Sequence, residues 1–276
     1  MFGLFRGRFR MAMLMLALTL GSRSAIAASP ATNRHVILIT IDGLSASSLS
    51  DPQAPLPTLR QLAADGVVAE GLRVSNPSIT WPNHTTLVTG VHPARHAVLF
   101  NGKVTRPGPG EPIQFDDERD QRDLLAVPTL YDFLSQAGYR TASINWPGTR
   151  GAATLDDNFP DVPNAIRHTT PRLRAQLLSA GILANANDAN FRNRGAVAAD
   201  QTWTAAAGHL IRSRPPNLLL LHLLNPDTIQ HQHGPQSPAA YLALGQADAN
   251  VAAVLSAVKA AGLQERTTVI VASDHG

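Results

Sequence analysis

Three short apolar runs stand out along the chain, and each ends on an acid at a turn. His35–Ile41 (HVILITI) runs into Asp42 and Gly43, and Leu218–Leu224 (LLLLHLL) runs into Asn225, Pro226 and Asp227. Thr267–Ala272 (TTVIVA) runs into Ser273, Asp274, His275 and Gly276. Unbroken Val/Ile/Leu runs of this length predict strands buried on both faces, as in a parallel sheet covered by helices. Segments with helical spacing lie between them. Pro57–Ala64 closes at Asp65-Gly66, a helix starting at Thr85 ends near Gly90, and Pro128–Ala137 closes at Gly138. Asp200–Ile211 and Tyr241–Ala261 precede the second and third apolar runs. Val67–Val74 and Tyr139–Asn145 add two expected strands. Strands alternating with helices predict a doubly wound α/β fold, mostly parallel, with helices on both faces.

Elsewhere the pattern weakens. Ser75–Asn83 reads as a loop, and so do the Gly/Pro-rich Thr105–Pro112 and the charge-dense Asp116–Asp123. From Thr149 to Ala199 only Pro171–Leu178 keeps a hydrophobic period, and the stretch is expected as an inserted cap or excursion beside a site. The first 27 residues carry Arg6, Arg8 and Arg10, an apolar Met11–Leu20 and a small-residue site at Ala25-Ile26-Ala27. That is the pattern of a cleaved secretory signal peptide, which implies an exported, periplasmic or secreted protein with no stable membrane anchor afterwards. Taking this leader's four arginines from 23 basic residues leaves 19 against 20 acidic ones. A net charge of −1 gives no reason to expect a nucleic-acid-binding surface. The absence of cysteine excludes disulfides and thiolate metal sites.

In parallel α/β sheets ligands gather beyond the carboxyl ends of the strands. The three runs can therefore deliver Asp42, Asp227, His231, Asp274 and His275 to one rim, where carboxylates and imidazoles are ligands for Zn²⁺ or a similar divalent ion. Thr80, in the segment Ile79–His84 ahead of a helix, is open to two readings. It is a hydroxyl able to attack phosphorus when a metal lowers its pKa, or, with Asn83, a capping residue at an anion-favouring helix start. His84, His92 and His96 read as structural, and His222 as a satisfied core histidine inside an apolar strand. Asn83-His84-Thr85 matches a glycosylation sequon but sits where a glycan would obstruct the rim.

Taken in order, ILITIDGL around Asp42, SITWPNHTTLVTG around Thr80, HPARHAVLFNG, the Trp146–Gly148 WPG, NPDTIQHQHGP and the final ASDHG resemble the type I phosphodiesterases/nucleotide pyrophosphatases of the alkaline phosphatase superfamily. The resemblance runs from about His35 to Gly276 and is weak across Thr149–Ala199. It implies a hydrolase of phosphodiester or pyrophosphate bonds with two zinc ions, manganese or another divalent ion being compatible, and a small phosphate ester or nucleotide as substrate. It further implies that Asp42, Thr80, Asp274 and His275 hold one ion, with Thr80 as nucleophile, and that Asp227 and His231 hold the other. Asn101 corresponds to an asparagine that hydrogen-bonds a phosphoryl oxygen, and Trp146 to a wall of the substrate pocket. The family's third ligand of the second metal is a histidine expected beyond Gly276, for which His233 is a substitute within the chain. The competing readings are a phosphomonoesterase or phosphonate hydrolase of the same superfamily, or a truncated remnant that binds metal or phosphate esters without turnover.

Overall fold

The computed structural model describes residues 33–188 and 191–276; the leader expected over residues 1–27 lies outside them. The strands are β1 (His35–Ile41), β2 (Lys103–Thr105), β3 (Gln114–Asp116), β4 (Thr141–Ile144), β5 (Asp157–Phe159), β6 (Leu218–Leu223) and β7 (Thr267–Ala272). The helices are α1 (Pro57–Asp65), α2 (Thr80–Thr89), α3 (Pro93–His96), α4 (Gln121–Leu124) and α5 (Leu130–Gln136). They continue with α6 (Ala165–His168), α7 (Pro171–Ser179), α8 (Ala196–Ser213), α9 (Asn225–His233) and α10 (Pro238–Ala260). The central sheet has the order β5-β4-β6-β1-β7, and every pairing in it is parallel. β2 and β3 form a separate antiparallel hairpin.

Alternation along β1 and β6 sorts the two faces of the sheet. Ile37, Ile39 and Ile41, with Leu219, Leu221 and Leu223, join the main core, which includes Trp203 and Leu210 of α8 and Val251 and Val254 of α10. Leu218 and Leu220, with half-buried Leu38, face Val88 of α2, Tyr131 of α5 and Trp146. Helices on both faces of a parallel sheet give the doubly wound α/β class. The three apolar runs become the neighbouring strands β6, β1 and β7, so their C-terminal turns lie side by side.

The structure departs from the pattern-based reading in three places. Val67–Val74 is not a strand: Val67, Val68 and Leu72 are exposed coil, and β-branched residues with no partner strand gain nothing from an extended ladder. α2 begins at Thr80, five residues earlier than expected. Pro82 concealed the start, yet as the third residue of the helix it gives up an N–H that the first turn leaves without an internal partner. The stretch 149–199 does not stand apart as a cap. It supplies β5, one of the two edge strands of the sheet, and α7, and it places Phe159, Ile166, Leu173, Leu177 and Phe191 in the main core.

Candidate active site

The turn after β1 is fixed from both flanks. The Asp42 amide donates to the Leu223 carbonyl at 2.9 Å, tying the turn to the end of β6. Gly43 has a φ of +69°, and a side chain there would meet the Asp227 Cα at 3.3 Å. Glycine thus supplies the left-handed turn and lets α9 approach, and Gln230 Nε2 donates to the Gly43 carbonyl at 2.9 Å. On the other flank the Ser273 hydroxyl donates to the Ile41 carbonyl at 2.8 Å and accepts from the Leu44 amide at 3.0 Å. That clasp holds Asp274 beside Asp42. The start of α9 is capped from a distance by buried Asp200, which accepts from the Leu224 and Asn225 amides at 2.9 and 3.0 Å.

The side chains converge above these turns. His275 Nε2 lies 3.2 Å from Asp42 Oδ1, 3.4 Å from Asp274 Oδ2 and 4.0 Å from Asp227 Oδ1. One ligand atom each of Asp42, Asp227 and His275 fits within 4.8 Å of the others. Asp42 and Asp274 are fully buried, and no oxygen of either accepts a well-formed hydrogen bond among the described residues. Carboxylates buried this way are costly unless a cation neutralises them. Oxygen and imidazole donors suit zinc or manganese, so the residues fit a divalent metal. Burial raises the Asp42 carboxyl to about 7, and neighbouring Asp274 and Asp227 add to the rise against the lowering effect of His222. Asp274 moves the other way: burial pushes it up, but His84, His222 and His275 together hold it below the ordinary carboxylate value.

The remaining expected residues lie around this centre. His231 follows Asp227 by one turn of α9, with Nε2 3.4 Å from Asp227 Oδ1, but its side chain is 78% exposed. His233 is also exposed. Thr80, half-buried, opens α2, and its carbonyl accepts from His84 Nδ1 at 2.8 Å. The same His84 nitrogen is 3.6 Å from Asp274 Oδ2, which brings the start of α2 to the carboxylates. Exposed Asn101 accepts from the Trp81 amide through Oδ1 at 2.8 Å and so sits at the head of α2 next to Thr80. Trp146 is a correction. It is fully buried against His84, ring centroids 4.8 Å apart and edge-on, so its indole has no face free to line a pocket.

The family model for type I phosphodiesterase / nucleotide pyrophosphatase matches residues 36–276. The chain belongs to this family. Mouse ectonucleotide pyrophosphatase/phosphodiesterase family member 1 is 24% identical over 241 residues, which cover 87% of this chain and 24% of that protein. The Xenopus laevis bis(5'-adenosyl)-triphosphatase enpp4 is 26% identical over 242 residues, covering 87% of this chain and 46% of the relative. The chain therefore spans about a quarter to a half of the length of these curated relatives. A solved structure of inactive murine ectonucleotide pyrophosphatase/phosphodiesterase 5 in complex with AMP matches with a TM-score of 0.66 at 20% identity, covering 88% of this chain and 57% of that one. That likeness concerns the fold alone, a mostly parallel α/β arrangement.

Within this phosphodiesterase-family chain, sequence reasoning underrated three buried residues. His222 Nε2 is 3.3 Å from Asp42 Oδ2, and Thr40 Oγ1 lies 3.1 Å from His222 Nδ1 and 2.8 Å from His84 Nε2. Burial pushes the His222 imidazole down, but the Asp42 carboxylate close beside it raises it to about 9. Burial and the nearby His222 depress His84 to about 3, so it is neutral. The available signals were a lone histidine in a leucine strand, a threonine two residues before Asp42 and a histidine four residues after Thr80. His92 and His96 are scaffolding, in contact with Ser75 Oγ at 2.9 Å and Thr86 Oγ1 at 3.1 Å respectively. Asn83 is buried; it accepts from the Ser75 amide and donates to the Ile79 carbonyl, which leaves no room for a glycan in the folded chain.

Proposed function

We propose that this chain carries the catalytic rim of an exported, metal-dependent hydrolase that cleaves phosphodiester or pyrophosphate bonds, with Thr80 as the nucleophile. The observation that carries the reading is the pair of fully buried, unsatisfied carboxylates of Asp42 and Asp274, with His275 and Asp227 closing on them beside the start of α2. Asp42, Thr80, Asp274 and His275 would hold one divalent ion, zinc for preference, and Asp227 and His231 a second. When bound, such ions supply positive charge at the phosphoryl oxygens and favour an ionised nucleophile at neutral pH.

The chain's own groups do the rest. Thr80 stands at the first position of a ten-residue helix, where the helix dipole favours a phosphoryl group. Asn101 is oriented by the Trp81 amide, which can bond only its carbonyl oxygen, so its NH₂ group remains a neutral donor for a developing oxyanion. Attack by the Thr80 oxygen on phosphorus forms one P–O bond as the bond to the leaving oxygen breaks, and a water later frees the threonine. Nucleotide esters and pyrophosphates are the proposed substrates, supported by the names of the relatives and the AMP bound to the murine protein.

The test compares bis-p-nitrophenyl phosphate with p-nitrophenyl phosphate, with zinc or manganese supplied. Diester cleavage that a chelator removes is the expected result. Thr80→Ala should lower it on the order of a thousandfold or more at an unchanged melting temperature. A strong monoester preference would move the chain to the phosphomonoesterase reading, and turnover retained in Thr80→Ala would remove the nucleophile.

A further inference from the structure

Three fully buried polar side chains, Thr40, His84 and His222, lie beneath the carboxylates on the α2 side of the sheet, and the hydrolytic chemistry itself makes no use of them. We propose that they form a positioning relay that ties the orientation of Asp42 to the helix start bearing Thr80. The proposal rests on the reading of Asp42 as a metal ligand and Thr80 as nucleophile.

The topology brings the three together. Thr40 and His222 are register partners in the parallel β1–β6 pair, so their side chains share a face. Thr40 precedes Asp42 by two residues, which puts it below the ligand on that face. His84 follows Thr80 by one helical turn and wedges between the Trp146 ring at 4.8 Å and the His222 ring at 4.3 Å.

The direction of the hydrogen bonds follows from one fixed end. The Thr80 carbonyl can only accept, so His84 Nδ1 carries the hydrogen, and the neutral ring's Nε2 must accept. The Thr40 hydroxyl at 2.8 Å is the nearer of two donors within reach, His222 Nδ1 being the other at 3.1 Å. Having donated, the hydroxyl can accept from His222 Nδ1, also at 3.1 Å. The other nitrogen of His222 then faces Asp42 Oδ2 at 3.3 Å. A chain of contacts thus runs from the Thr80 backbone to the Asp42 carboxylate. None of its members can rotate without stranding a buried polar atom. The set is closed to solvent and its central gap is filled by the Thr40 hydroxyl, so it aligns a site and does not bind a ligand itself. Partners that orient metal ligands in this way are worth about 10- to 100-fold in metal affinity.

The decisive variants are Thr40→Val, which keeps the shape and removes the hydroxyl, and Thr40→Ser, which restores it. Zinc affinity of the full chain is measured by competition with a chromophoric chelator, alongside kcat and KM for bis-p-nitrophenyl phosphate. Thr40→Val should bind zinc about 10- to 100-fold more weakly and lose kcat with little change in KM, and Thr40→Ser should recover both. A folded Thr40→Val with wild-type zinc affinity and kcat overturns the relay, whatever its melting temperature. Should that variant fail to fold, His222→Asn keeps a group facing Thr40 and deletes the one facing Asp42. Its zinc affinity should fall by the same factor, and an unchanged value overturns the proposal. A wild-type chain that binds zinc but cleaves no diester would sink the hydrolase reading alone, since the affinity contrast between Val and Ser still decides the relay. A wild-type chain that binds no zinc overturns both.

Discussion

Asp42 and Asp274 stand at strand ends with no exposed surface, whereas His231 on α9 and Asn101 at the head of α2 are exposed. The inner pair is held by backbone: the amide of Asp42 on β6, the Ser273 clasp and the Gly43 turn. The outer pair is held by one helix turn and one capping bond. The contrast teaches that the inner half takes its geometry from the sheet, while the outer half must be ordered by whatever binds there. Asp227, on α9 yet touching the inner cluster, joins the two.

The comparison can be broken most directly at Asp42. Asp42→Ala should weaken metal binding more than about a hundredfold and cost at least one bound ion per chain in elemental analysis. Unchanged stoichiometry would separate the buried carboxylates from any metal role. The next effect is in the pH dependence of the metal-free protein. His222 is raised from 6.5 to about 9, so its contribution to stability is fully present below pH 6.5 and is lost as pH climbs through 9. Asp42, raised by burial from 3.8 to about 7, acts with the same sign at lower pH, and the depressed His84 opposes only below 6.5. Melting temperature should therefore fall from pH 6.5 to 9, by the equivalent of at most about 3 kcal/mol. His222→Phe should flatten that limb, and a slope that persists in the variant assigns it elsewhere.

Two smaller effects sharpen the outer half. Asp200→Ala strands the Leu224 and Asn225 amides at the start of α9 and should cost about 2 kcal/mol in urea denaturation. A change below about 0.5 kcal/mol would mean that α9 is held by its packing alone. His231→Ala should leave stability within about 0.5 kcal/mol, because the side chain is exposed, and should remove only the more weakly held metal. Loss of both ions on titration would show that inner and outer halves are not separable.

Legibility in the sequence followed the same division. β1, β6 and β7 were readable to within a residue as continuous apolar runs, but burial on both faces holds fully only for β6; β7 lies at the sheet edge with Ile270 exposed. β5 was not: Asp157 and Asn158 are buried polar residues, the first answered by Arg172 at 2.6 Å and Arg214 at 2.7 Å, the second by Ser143 and Thr149. Partners that distant in sequence leave no local period. Val67–Val74 failed for the opposite reason, having the composition of a strand and nothing to pair with. At the rim, the acids at turns pointed to Asp42, Asp227 and Asp274. The buried Thr40–His84–His222 contacts depend on the register of two strands and the seat of a helix. For Trp146, sequence carried the residue but not its depth.

The Ser273 hydroxyl, bonded at once to the Ile41 carbonyl and the Leu44 amide, has a further consequence. Any fluctuation that parts the first turn from the last must release both bonds together, so the two ends breathe as one unit. Deuterium should therefore enter at Leu44 slowly and on the timescale of the β1–β7 ladder, and Ser273→Ala should let that amide exchange ahead of the strands.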